Sequence, residues 1–265
     1  MIQTLEEWES FDAFSLNFST SGNSIVTVGM HFLPLVKFPS PIDPVRFQAF
    51  LLDLQRVYID MPYHNQIHAA DVAQAAMWLI KGEPDFTENS GIFLMATLAH
   101  DCGHFARTNA FLRASGNSLA ARLGEESTLE KYHLEISTKI IKEHEIFPEH
   151  VFQESIEPLF RELVLATDSS HMCDPSDKNS LLIKAADVSA LARNFQRGLL
   201  WGKRLSQEFA DQREEEERLG MDMSMLPSSS RDFAREYVVQ IYKDLARVIP
   251  KVDRVVQILV NALKD

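Results

Sequence analysis

Nine histidines punctuate this chain, and several of them share a neighbourhood with carboxylates. His64 and His68 stand four apart, the spacing of one helical turn, which predicts both on one face of a helix. His100, Asp101 and His104 form an H-D-x-x-H string within GIFLMATLAHDCGHF, a segment apolar nearly all round and predicted as a central, buried helix. A carboxylate beside an imidazole in such a helix loses its hydration, which is costly unless something compensates. Asp187 repeats the situation in LLIKAADVSAL, with no cation nearer along the chain than Lys184. Each piece has a plainer reading: a surface pair of histidines, or a lone aspartate capping a helix or pairing with an arginine. Three separate buried segments that all bring ligand-type residues point instead to a divalent metal, which takes imidazole and carboxylate donors. We therefore place His68, His100, Asp101 and Asp187 around one metal, with a bridged second metal nearby.

The chemistry follows from the charge. A water bridging two divalent ions loses its proton near neutral pH and becomes a nucleophile, while the ions hold the oxygens of a phosphoryl group. The leaving alkoxide then needs a proton from a side chain that is not a ligand, and His64, one turn from His68, is placed to give it. The predicted reaction is metal-assisted phosphoester hydrolysis. Composition bears on this. With 26 Lys and Arg against 38 Asp and Glu, the net charge of the 265 residues is −12. Such a surface repels a nucleic-acid backbone and leaves positive potential for an anionic substrate to be supplied by metals.

The elements that must position these residues read as helices. FQAFLLDLQRVY, HAADVAQAAMWLI, TLEKYHLEISTKIIKEHEIF and SLLIKAADVSALARNFQRGLLWGKRL carry apolar residues at three- and four-residue steps. The stretch from Ile25 to Val36 fits a short strand or a helix, and the acidic run Glu214 to Glu217 reads as a solvated helix end or loop. The expected architecture is all-α, a single catalytic domain over residues 1–265, with residues 1–45 a portion the pattern defines less sharply. Two cysteines, Cys102 and Cys173, make no disulfide framework, the N-terminus lacks a signal-peptide layout, and no apolar run reaches the ~18 residues of a membrane span. The expectation is a soluble, intracellular, cytoplasmic protein with no nucleic-acid partner. Dimerisation through helices is open to such a domain, although no heptad seam is evident.

These residues resemble a known family. Tyr63-His64-Asn65-Gln66-Ile67-His68-Ala69-Ala70-Asp71-Val72 is similar to the YHNxxHAxDV signature of class I 3′,5′-cyclic nucleotide phosphodiesterases. His100-Asp101-Cys102-Gly103-His104, followed by Asn109 and Phe111, resembles the family's HDxxHxGxxNxF string. Ser127 to His133 resembles its SxLExxH segment, and Thr167-Asp168 and Asp187 fall in segments like its two later metal-proximal helices. The resemblance implies that His68, His100, Asp101 and Asp187 hold zinc, with Asp101 bridging to magnesium or manganese. It implies that His64 is the general acid on the leaving 3′ oxygen of a cyclic nucleotide, and that His104, Glu130, His133 and Thr167 orient metal waters and histidines. Tyr63 would line the pocket, and the fold would be a compact, many-helix domain of the HD type.

The departures fall at the base end. The family's purine-reading glutamine aligns with Ser230, three residues before the stacking Phe233; a serine cannot make a two-point amide contact with a base. Ala190 replaces an asparagine, Ala106 replaces the glycine of HxGxxN, and the TDxxxH element is one residue short. Met221, Met223 and Met225 read as a mobile rim over the pocket. The expected activity is hydrolysis of a 3′,5′-cyclic nucleotide with altered base recognition. Alternatives are a related hydrolase for another phosphoester and a metal-binding scaffold.

Overall fold

Helix boundaries in the computed structural model follow the side chains placed at them. It describes residues 5–171, 174–193, 195–221, 226 and 229–263. Helices α1 (Ala13–Ser19), α2 (Ser24–Phe32) and α3 (Pro44–Arg56) lead to α4 (Gln66–Ile80) and α5 (Ser90–Ala99). After them come α6 (Thr128–Glu143), α7 (Glu157–Ala166), α8 (Lys178–Asp187), the 24-residue α9 (Phe195–Arg218), α10 (Val239–Ala246) and α11 (Asp253–Ala262), with shorter turns between. The Asp43 carboxylate accepts from the Val45 amide to start α3, with Pro44 at the first helical position. Asn65 accepts from the amides of Ile67 and His68 to start α4, and Asp177 caps α8 through Ser180.

No strand occurs among the described residues; the stretch left open between strand and helix is α2 followed by a 3₁₀ turn over Leu33–Leu35. No helix among them is long and apolar enough to cross a membrane. α4 and α5 form the centre, buried on nearly every face because their alanines let neighbouring helices approach closely. On α2, a Cβ at Gly29 would meet Leu51 Cδ1 of α3 at 2.5 Å, so any other residue there would have to displace the Leu51 side chain. The N-terminal residues Leu5, Trp8 and Phe11 are buried in the same continuous core as the C-terminal Val255 and Leu259. Full burial of each such side chain stabilises the fold by about 1.5–3 kcal/mol relative to exposure.

Two placements differ from expectation. α5 ends at Ala99, so His100 is its C-cap and Asp101 to His104 form the turn beyond it. The chain turns there because Gly103 takes φ +78°. His64 likewise stands outside the helix that carries His68, ahead of the Asn65 cap.

Candidate active site

Three helix ends converge. His68 enters from the first turn of α4, His100 and Asp101 from the end of α5, and Asp187 is the last residue of α8. One donor atom from each of the four lies within 4.8 Å of all the others, and both imidazoles are buried. His100 Nε2 stands 3.1 Å from Asp101 Oδ2 and 3.2 Å from Asp187 Oδ1; His68 Nε2 is 3.2 Å from Asp187 Oδ1. His100 Nε2 and Asp101 Oδ2 nevertheless make no hydrogen bond and are sealed from solvent. His68 Nε2 and Asp187 Oδ1 are within hydrogen-bond distance, but two buried atoms left unbonded among such donors aim at a shared centre, and this set fits a divalent cation.

Tautomers are fixed from behind. His100 Nδ1 donates to the Thr97 carbonyl at 2.8 Å, which leaves Nε2 with a lone pair facing the cluster. His133 Nδ1 donates to the Cys102 carbonyl at 2.8 Å, and His104 and His133 gather on the side of Asp101 away from the first group. His104 Nδ1 accepts from the Ala106 amide at 3.0 Å, so its Nε2 carries the proton. Burial, and then the neighbouring His64 charge, hold His104 well below the usual imidazole range; burial likewise takes His133 down to about 4. Glu130 is pushed up to about 8 by burial and by the Asp168 charge, and Asn109 Nδ2 donates to it at 2.8 Å. Thr167 caps α7, its hydroxyl on the Val164 carbonyl at 2.8 Å, beside Asp168, which accepts from Ser127.

His64 has a partner that sequence reasoning missed. Glu208 on α9 places Oε2 2.5 Å from His64 Nδ1, while its Oε1 accepts from the backbone amides of Tyr63 at 2.7 Å and His64 at 3.0 Å. Burial alone would lower the His64 imidazole, but the charge and hydrogen bond of Glu208, with Asp101 and Asp187 behind, raise it to about 9. Burial acts against the Glu208 carboxylate as well, and His64 overrides it, holding the acid at about 2. His64 stacks on His104 with centroids 4.0 Å apart. Tyr63 is buried between His68, at 4.5 Å, and Trp201, at 5.3 Å.

α9 closes this end along one face. Trp201 packs on Tyr63, Arg204 donates to the Pro62 carbonyl, Gln212 accepts from the Thr108 amide, and Glu215 pairs with Arg107. The acidic run is therefore not simply solvated: Glu216 is buried against Gln212 and Glu215 is half-buried. Spacings of three and four from Trp201 to Glu216 were the available signal.

The residues expected at the base end stand on the short helix Ser230–Phe233. Ser230 lines an open cleft of about 670 Å³ with Leu191, Gly202, Ser206 and Gln207, and none of the donor residues lines it. Its hydroxyl accepts from Ser206 Oγ at 3.1 Å. Phe233 is half-buried and stacked on Tyr237, centroids 5.2 Å apart. Met221 packs on the small cluster of Phe111, Leu112, Ala120 and Leu129; Met223, Met225 and Cys173 fall outside the described residues. Ala106 takes φ +57°, a left-handed conformation that suits glycine.

A family model for 3'5'-cyclic nucleotide phosphodiesterase matches residues 63–259. The cGMP-specific 3',5'-cyclic phosphodiesterase gamma of Plasmodium yoelii is 30% identical over 233 residues, 74% of this chain and 30% of that protein. The dual specificity calcium/calmodulin-dependent 3',5'-cyclic nucleotide phosphodiesterase 1B of Rattus norvegicus is 30% identical over 253 residues, 85% of this chain and 47% of the relative. The chain thus spans less than half the length of these relatives. The phosphodiesterase domain of the RhoPDE fusion protein from the choanoflagellate Salpingoeca rosetta shares its fold, with a TM-score of 0.81 at 22% identity over 99% of this chain and 94% of that one.

Proposed function

Because the chain belongs to the 3'5'-cyclic nucleotide phosphodiesterase family, we propose that it hydrolyses the cyclic phosphodiester of a 3',5'-cyclic nucleotide to the 5'-nucleoside monophosphate. The observation that carries the reading is the His64–Glu208 pair beside the donor cluster. With its Nδ1 proton held by Glu208, a charged His64 has its Nε2 proton to give to the leaving 3' oxygen. Glu208 also accepts from two backbone amides of the same segment, so the imidazole is fixed in place as well as charged. His104 stays neutral under the His64 ring and adds no like charge to it.

His68, His100, Asp101 and Asp187 would hold zinc, and Asp101 would also reach a magnesium or manganese ion. When bound, such ions activate water and offset the charge of the phosphoryl oxygens, which a chain of net charge −12 does not otherwise supply. His104, Glu130, His133 and Thr167 would orient metal waters and histidines around that centre, and Tyr63 would line the pocket. At the base end we assign Ser230 and Phe233. A lone hydroxyl discriminates poorly between purines, so cyclic AMP and cyclic GMP are both expected as substrates.

The test is hydrolysis of cyclic AMP and cyclic GMP with magnesium or manganese by the parent, His64→Ala and Ser230→Gln. Turnover by the parent and a loss of about 10²- to 10⁴-fold in His64→Ala is the expected result. A silent parent with Ser230→Gln active would point to another phosphoester as the natural substrate. Silence of all three with metal bound would favour a binding scaffold.

A further inference from the structure

Arg193 is fully buried, and its guanidinium joins three segments that are distant in sequence. It pairs with Asp71 of α4 at 2.9 Å, where both side chains are sealed from solvent. It donates to the Asp71 carbonyl at 3.1 Å, to Gln74 Oε1 at 2.7 Å and to the Trp8 carbonyl at 3.1 Å. The rings of Trp8 and Phe11 cover its faces at 4.8 and 5.1 Å. Gln74 in turn donates to the carbonyls of Leu5 and Glu7, and Arg197 donates to those of Glu9 and Ser10.

The positions along the chain give this arrangement its consequence. Asp71 lies one turn beyond His68 on α4, and Arg193 lies six residues beyond Asp187, across the short buried turn Ser189–Ala192. The helix that brings His68 is thus tied by one guanidinium to the segment that directly follows the helix bringing Asp187. A buried ion pair is weak evidence of stability, since well-packed apolar residues fill such space as well or better. Here Asp71 Oδ2 and Arg193 Nε are left without hydrogen bonds, which costs stability further. What apolar residues cannot do is fix the direction of three backbones at once, as a planar five-donor fork does.

We infer that Arg193 is a positioning residue: with Asp71, Gln74 and the N-terminal segment from Leu5 to Phe11, it sets the spacing of His68 and Asp187 and so the cation affinity of the site. The inference rests on the metal-site reading given above, and on no particular substrate.

The test measures Mn²⁺ and Zn²⁺ binding by calorimetry on the metal-stripped full chain, without substrate. Three variants are compared: Arg193→Lys keeps the charge against Asp71 but loses the fork, Gln74→Met cuts the tie to Leu5 and Glu7, and Val255→Ala destabilises a core helix that carries none of the Arg193 partners. Arg193→Lys and Gln74→Met are expected to weaken cation binding about five- to tenfold, with kcat falling and KM unchanged. Val255→Ala is expected to lower the Tm with cation affinity unaltered. If Arg193→Lys does not fold, Gln74→Met decides. Affinities within twofold of the parent in the folded variants, or an equal loss in Val255→Ala, overturn the inference. A parent that binds both cations but hydrolyses no cyclic nucleotide overturns the proposed activity and leaves this result readable.

Discussion

The carboxylate of Glu208 holds His64 at both ends of its residue, with one oxygen 2.5 Å from the imidazole Nδ1 and the other accepting from the His64 backbone amide. Glu208→Gln keeps the shape and removes the charge. We expect kcat to fall about tenfold to hundredfold, less than on removal of His64 itself. The alkaline limb of the rate profile, set by loss of the His64 proton, should move to lower pH, because the Glu208 charge that raises the imidazole is gone. An unmoved limb would assign the proton donor elsewhere.

The same pair links stability to pH. His64 is raised in the folded state, so its contribution is full below about pH 6.5 and lost as pH rises through about 9. Glu208 is lowered, so its contribution is present above about pH 4.5 and lost as pH falls through about 2.

Glu130 runs the other way. Its folded-state value of about 8 means that the folded chain keeps a proton the unfolded chain releases near pH 4.5. Stability of the cation-free protein therefore falls between those limits as pH rises. Glu130→Gln should remove that part of the slope in melts run with chelator between pH 5 and 8, and parallel slopes in parent and variant would contradict the assignment.

Cation addition should raise the Tm. At a hundredfold excess over Kd, binding to the folded chain alone contributes about 2.7 kcal/mol, or about 5–10 °C for a domain of this size. His100→Ala removes a donor from the cluster and should abolish the rise, as read by calorimetry with Mn²⁺ against chelator.

Ala106→Gly should stabilise. The left-handed backbone at φ +57° costs an alanine about 1–2 kcal/mol, and glycine gives back about 0.5–1 kcal/mol in unfolded-state entropy. The net is a Tm higher by about 1–4 °C. A lower Tm would show that the alanine side chain contributes packing greater than its strain.

The helices and the donor set were legible in the sequence because both are local or compositional: alanine- and leucine-rich segments carry the 3.6-residue period, and His68, His100, Asp101 and Asp187 stand out as polar groups in apolar surroundings. The end of α5 was hidden, because apolar residues run past Ala99 and the reversal depends on the conformation of Gly103. Glu208 was hidden for another reason. Its partner lies 144 residues away, and a glutamate just ahead of an acidic run looks like any solvated one until the helix is placed. The place of Ser230 beside Ser206 depends on the packing of α9 and has no local signal in the sequence.

The Arg193 clamp also bears on the order in which the molecule assembles. Trp8 and Arg193 are 185 residues apart, and His68 and Asp187 are 119 apart. Single helices form in about a microsecond, whereas closing such long loops carries an entropy cost that grows with loop length and needs a largely built surface to offset it. During synthesis the N-terminal segment leaves the ribosome long before the arginine that will hold it, so Trp8 and Phe11 must wait exposed or rest on α4 alone. The cluster of His68, His100, Asp101 and Asp187 is consequently among the last parts of the chain to form, and a nascent chain that stops short of Arg193 holds all four residues without the guanidinium that joins α4 to the segment after α8.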